Sequence, residues 1–223
     1  MAESKTWLAR VQVFDPKQDY GVVVRRLPHW SQAGALCFIT WRTWDSIPQS
    51  VLAGWLAERD RWLARQGVDP TQIDWRIQID RLEPSLQQDF HRHIADRWNA
   101  HLDACHGKCV LRRPVLAEIV AQSLKHFDGD RYELTDFVIM PNHVHLVAAF
   151  PNEDAMLHHC ESWKRYTATK LNRQLGRSGR FWQQDGFDHL LRSVEEFDYL
   201  RQYIANNPSR AGLRPGEYIH ESK

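Results

Sequence analysis

The chain has 223 residues, 29 Lys+Arg against 28 Asp+Glu for a formal charge of +1, 43% hydrophobic and 26% charged residues. These values exclude a disordered, collagen-like or disulfide-scaffold chain. The near-neutral total argues against a uniformly basic nucleic-acid coat and leaves local patches to be counted. Cys37, Cys105, Cys109 and Cys160 form no CxxC pair, and the N-terminus has no apolar run of signal-peptide type, so a reducing cytosol is expected. The longest apolar run, residues 146–150, is far below the roughly 20 residues needed to cross a bilayer. No membrane partner is expected.

Residues 1–34 are mixed, with an apolar alternation from Val22 to Leu27 that ends at Pro28, and read as an N-terminal extension. Residues 35–43, ALCFITWRT, are rich in aromatic and β-branched types and precede Asp45, Ser46 and Pro48, the pattern of a strand followed by a helix start. From 48 to 65, Val51, Leu52, Trp55, Leu56, Trp62 and Leu63 follow helical spacing. About 66–84 reads as an insertion of ambiguous type. Pro84 then opens an amphipathic helix through Leu86, Phe90, Ile94, Trp98 and Leu102. Pro114 opens another, with Val115, Ile119, Val120 and Leu124 facing inward and Asp128-Gly129-Asp130 closing it.

Residues 131–150 give two strand-like runs broken at Pro141-Asn142, a β-hairpin pattern. A helix is expected over 154–176, stopped by Gly176 and Gly179, and another over 194–205, stopped by Asn206-Asn207-Pro208. Single strands alternating with helices around a hairpin indicate an α+β fold, helices packed on a mainly antiparallel sheet. Neither GxGxxG nor GxxxxGK[ST] occurs, which removes the dinucleotide and P-loop readings.

Three features carry chemistry. His143-Val144-His145 lies on a predicted strand, where residues i and i+2 share a face and both imidazoles can meet one cation. With twelve His in the chain, chance pairs are common; His91-Arg92-His93 matches too, but on a predicted helix the two rings diverge. Tyr166 lies beside the apolar stripe Leu157, Cys160, Trp163, Thr167, Leu171, Leu175, with Lys170 and Arg173 on either side of it at helical spacing. A phenol flanked by cations suits a phosphodiester-attacking nucleophile, although the residues by themselves favour a boundary tyrosine whose ring covers the core edge. Residues 164–180 hold Lys164, Arg165, Lys170, Arg173, Arg177 and Arg180 with no acid, next to Phe181-Trp182, a mixture able to track a backbone and stack an unpaired base. Cys105 and Cys109 in CHGKC lack the second cysteine pair of a zinc site and read as free or structural thiols.

In this order, FVIMPNHVHLVAAF, SWKRYTATKLN, GRFWQQDGFDHLLRS and YIANNPSRAGL resemble the REP-associated tyrosine transposases, members of the HUH single-strand endonuclease superfamily with the IS200-like transposases. The resemblance covers about 35–217 and leaves 218–223 as a tail. It implies a ferredoxin-like core, His143 and His145 as ligands of Mg²⁺ or Mn²⁺, and Tyr166 as nucleophile. The implied reaction cleaves and rejoins single-stranded hairpin DNA through a 5′-phosphotyrosine. The alternative is a hairpin DNA- or RNA-binding module without cleavage.

The resemblance also implies a cytoplasmic, nucleoid-associated bacterial protein, acting as monomer or homodimer, with Lys164, Arg165, Lys170, Arg173, Arg177, Arg180 and Arg192 on the DNA backbone. Related transposases place a polar metal ligand one turn after the tyrosine, whereas Lys170 stands there. Asn142, Asp188, His189 or water are the candidates for the third ligand. The NPSRAGL segment reads as turn and cap signals, structural in role.

Overall fold

A computed structural model describes residues 11–15, 18, 21–24, 28–72, 75–79, 81–87, 89–90, 104–183 and 187–223. Its centre is strand β3 (Leu36–Arg42), the hairpin β4 (Glu133–Ile139) and β5 (His143–Ala149), and β6 (Phe187–Leu190). Helix α3 (Pro114–Lys125) connects β3 to β4, and helix α4 (Glu153–Gln174) connects β5 to β6. The spatial order β6-β3-β5-β4 with every pair antiparallel is the βαββαβ, ferredoxin-like arrangement. Helix α5 (Val194–Arg210) follows, and β7 (Ile219–Ser222) pairs with β4 as a fifth strand at the edge. The expected tail is thus part of the sheet.

Residue alternation divides the strands between two cores. Cys37, Ile39 and Trp41 of β3 with Val144, Leu146 and Ala148 of β5 pack beneath α3 and α4, against Leu116, Val120, Leu124, Trp163 and Leu171. Trp41 stacks on Trp163 at 5.9 Å, and the Trp163 indole N–H donates to Tyr132 Oη at 3.3 Å. The other face carries Leu36, Phe38, Val138, Met140, Val147 and Ala149, covered by Tyr203 and Ile204 of α5.

Local chemistry explains the boundaries. Asn152 caps α4 by accepting from the Ala155 N–H at 2.8 Å, and Ser193 caps α5 by accepting from Glu196 N–H at 3.1 Å. Helix α5 runs through Pro208 to Arg210, where a stop at 206–208 is expected from sequence. Proline removes a single backbone donor. The turn closes around it through Ala211 N–H to Asn207 O and Leu213 N–H to Pro208 O, and Gly212 in the left-handed region ends the helix. On α3 the buried stripe is Leu116, Ala117, Val120, Ala121 and Leu124; Val115, expected inward, is exposed.

The N-terminal region is tied to the domain. Residue 12 bridges to Ala35, Phe14 N–H donates to Leu191 O, and β1 (Gly21–Val24) pairs with β2 (Pro28–Ser31). Helix α1 (Gln49–Arg65) and the short α2 (Trp75–Ile79) form a satellite core of Leu63, Val68, Ile79 and Phe90. Most of the helix expected from Pro84 to Leu102, and with it His91 and His93, lies outside the described residues.

Candidate functional site

His143 and His145 are fully buried on the α5 face of β5, their ring centroids 4.6 Å apart. Each is oriented through Nδ1. The Asn142 amide nitrogen donates to His106 O at 2.8 Å, so its Oδ1 is the atom 2.7 Å from His143 Nδ1. An amide oxygen only accepts, which puts the proton of His143 on Nδ1 and the lone pair on Nε2. His145 Nδ1 lies 2.6 Å from Thr40 Oγ1, its partner across β3. His143 Nε2 is buried with no hydrogen bond, and His145 Nε2 has Tyr203 Oη at 3.5 Å.

Burial pushes His143 down to about 3, opposed by the Asn207 side chain, which favours its protonated form. Burial and the neighbouring His143 hold His145 well below the usual histidine range. Both rings are therefore neutral at pH 7, the form that coordinates metal. Two imidazoles with Nδ1 anchored to protein oxygens are the usual outer support of such ligands. The donor set thus fits a divalent cation on two nitrogens. Among the described residues no cluster of three His, Cys, Asp or Glu side chains could hold a metal.

Helix α5 supplies the wall above the rings. Tyr203 and Asn207, one turn apart, are both buried, Tyr203 keeping 7% exposure. Tyr203 meets His145 edge-on at 5.3 Å, Phe38 stacks on His145 at 5.3 Å, and Phe38 and Tyr203 meet edge-on at 6.1 Å. The Arg210 guanidinium lies 5.6 Å from the Tyr203 ring. From β3, buried Arg42 stands opposite His143 in the ladder and donates through Nη1 to Ser46 Oγ at 3.1 Å.

Tyr166 is elsewhere. Its helix turns Trp163, Thr167 and Leu171 toward the opposite face of the sheet, and Tyr166 is 51% exposed on the outer side, with Lys170 Nζ 5.5 Å from its ring. Within one chain, then, the sheet lies between Tyr166 and the histidines. The proposed third ligands also change standing. Asn142 Oδ1 is occupied in orienting His143, His189 Nε2 is paired with Glu196 Oε1 at 2.8 Å, and the side chain of Asp188 lies outside what the structure describes.

The basic residues Arg165, Lys170, Arg173, Arg180 and Arg192 are exposed, and Lys164 is half-buried. Arg177 is a brace, bonded to Asn172 Oδ1 at 2.9 Å and to Arg180 O at 3.3 Å. Phe181 and Trp182, expected to stack a base, are buried in the α4-side core. The residues that sequence reasoning missed are Thr40, Arg42, Tyr203 and Asn207. A Tyr and an Asn four apart on one helix were the available signal, hidden by reading Asn206-Asn207-Pro208 as a stop.

A family model described as "Transposase IS200 like" matches residues 90–207, more than half of the chain, a span that includes His143, His145, Tyr203 and Asn207. Among solved structures, one described as a REP-associated tyrosine transposase bound to a REP hairpin is similar at 14% identity. That similarity covers 86% of this chain and 76% of that one, with a TM-score of 0.43. No curated protein matches the chain. Among the described residues, no helix is long and apolar enough to cross a membrane.

Proposed function

Because the chain belongs to the IS200-like transposase family, we propose that it is a metal-dependent single-stranded DNA endonuclease and strand transferase acting on hairpin, REP-like DNA, with Tyr203 as nucleophile. One observation carries the assignment: Tyr203 Oη approaches His145 Nε2 to 3.5 Å on the enclosed face of the sheet. The polar ligand that the resemblance calls for one turn after the nucleophile is then Asn207, whose side chain acts on His143, in place of Lys170.

His143, His145 and Asn207 would hold Mg²⁺ or Mn²⁺. Such a cation, when bound, polarises a non-bridging oxygen of the scissile phosphate. Tyr203 Oη attacks phosphorus; a P–O bond to the tyrosine forms and the bond from phosphorus to the 3′ oxygen breaks. The proton lost by the phenol is matched by one taken up at that 3′ oxygen. A 5′-phosphotyrosine and a free 3′-OH result, and the ester keeps the bond energy for a later 3′-OH attack that rejoins DNA. Thr40 and Asn142 keep the two rings in place, and burial limits the access of water to the ester. Lys164, Arg165, Lys170, Arg173, Arg180 and Arg192 provide charge for the DNA backbone.

Incubation with hairpin-bearing single-stranded DNA and Mg²⁺ or Mn²⁺ should give a denaturation-resistant protein–DNA adduct, absent with EDTA and absent in Tyr203→Phe. Binding by the wild type with no adduct under any metal makes the chain a hairpin-binding module. Cleavage by Tyr203→Phe at the wild-type rate removes the tyrosine mechanism.

A further inference from the structure

Resting on the reading of the chain as a single-strand DNA enzyme, we propose that Trp44, with Arg180 stacked on it, is the platform for an unpaired base next to the scissile phosphate. Trp44 is 41% exposed, and the Arg180 guanidinium lies over its ring at 4.5 Å. Exposed single aromatics are common and need no explanation. This one differs in how firmly it is held and in where it stands.

The Trp44 N–H donates to Phe181 O at 2.8 Å, and its carbonyl accepts from Gln183 Nε2 at 2.8 Å. Arg180 is set by its own turn, in which Arg177 bonds to Asn172 and to Arg180 O, and Asn172 Nδ2 donates to Gly179 O at 2.7 Å. The backbones that carry the indole and the guanidinium are therefore each held by hydrogen bonds, and the two side chains are stacked on one another.

The position points to the same DNA as the histidines. Trp44 lies two residues beyond Arg42, at most about 7 Å of extended chain, and Arg42 stands opposite His143. Thr43 N–H donates to Asn142 O at 2.8 Å, tying the residue before Trp44 to the residue before His143. The platform thus stands at the end of the sheet where the histidine motif begins.

The occupant follows from the chemistry. Base stacking on an aromatic face tolerates any base, and an adjacent guanidinium answers the phosphate of the same nucleotide. Arg180 ends the segment 164–180, which has no acid and in which Arg165, Lys170 and Arg173 are also exposed, so further positive charge for a strand lies on the same segment as the platform. A hairpin stem, whose bases are paired and stacked internally, offers no free base face here. The unpaired flank does.

The test compares binding of two DNA probes in EDTA, where cleavage is suppressed: a hairpin with an unpaired thymidine flank and the same hairpin without it. Wild type should bind the flanked probe more tightly. Trp44→Ala should weaken the flanked probe about tenfold and leave the blunt one unchanged, with Trp44→Phe keeping most of the affinity. A 2-aminopurine placed in the flank should be quenched by wild type and not by Trp44→Ala. If Trp44→Ala keeps the flank preference, or weakens both probes equally, the platform is wrong and the functional reading stands. Equal binding of both probes by wild type also overturns the platform alone. If wild type binds neither probe, the functional reading falls and the platform with it.

Discussion

On β5, Val144, Leu146 and Ala148 face α3 and α4, whereas His143, His145, Val147 and Ala149 face α5. The two faces are equally well sealed, but they are sealed with different materials. Beneath α4 the polar side chains are few: Trp163 Nε1 reaches Tyr132 Oη, Trp182 Nε1 donates to Thr167 Oγ1 at 2.8 Å, and Trp41 Nε1 is buried without a hydrogen bond. Beneath α5, Thr40, Arg42, Asn142, His143, His145 and Asn207 are all buried, and His143 Nε2 has no hydrogen bond. Leaving a buried polar atom unsatisfied costs about 1–3 kcal/mol. The contrast teaches that exposure and local charge, the properties that single out Tyr166, point to one face, whereas concentrated buried polarity points to the other, the face on which the proposed reaction is placed.

The contrast can be broken most sharply at the histidines. His143→Ala should reduce DNA cleavage to background while hairpin binding, measured by electrophoretic mobility shift, persists. Loss of binding in parallel would mean that the α5 face is a recognition surface rather than a reaction centre.

The next largest effect compares the two sides of α4 itself. Trp163→Ala removes a buried indole that stacks on Trp41 and meets Tyr132 edge-on, and should cost about 3–5 kcal/mol in urea unfolding. Tyr166→Ala, on the solvent side of the same helix, should stay within about 0.5 kcal/mol. Similar losses for both would contradict the orientation of α4.

A smaller, graded effect tests the α4-side core by pH. Burial, with the neighbouring His158 and Arg131, pushes His159 down to about 4. Between that value and the ordinary 6.5 the unfolded chain holds a proton that the folded one does not. The contribution of His159 is therefore fully present above pH 6.5 and is lost as pH falls toward 4. His159→Phe should flatten the wild-type decline over that window; an unchanged slope would show that the ring is free to protonate in the folded state.

Much of the frame was legible in the chain. Period-two alternation in FVIMPNHVHLVAAF gives the hairpin and puts both histidines on one face, because strand geometry leaves no other choice. The α+β arrangement followed from the order of elements. What stayed hidden had local reasons. Strand β6 is four residues, FDHL, and β7 is IHES; neither is long or apolar enough to announce itself, and both exist because a neighbouring strand offers an edge. Asn206-Asn207-Pro208 carries a helix-stop signal inside α5, which masks the Tyr203/Asn207 pair in the sequence. Tertiary packing of Ile204, Asn207 and Pro208 on the sheet outweighs that local signal. Tyr166 attracted attention because charge can be counted in sequence, whereas the face on which a helix residue meets a strand cannot.

The central claim is that the chemistry belongs to the α5 face, and peptide mapping of the covalent adduct tests it most directly. After reaction with hairpin-bearing DNA and divalent metal, nuclease trimming and proteolysis, mass spectrometry should find the nucleotide remnant on the peptide containing Tyr203. A remnant on Tyr166 would contradict the account.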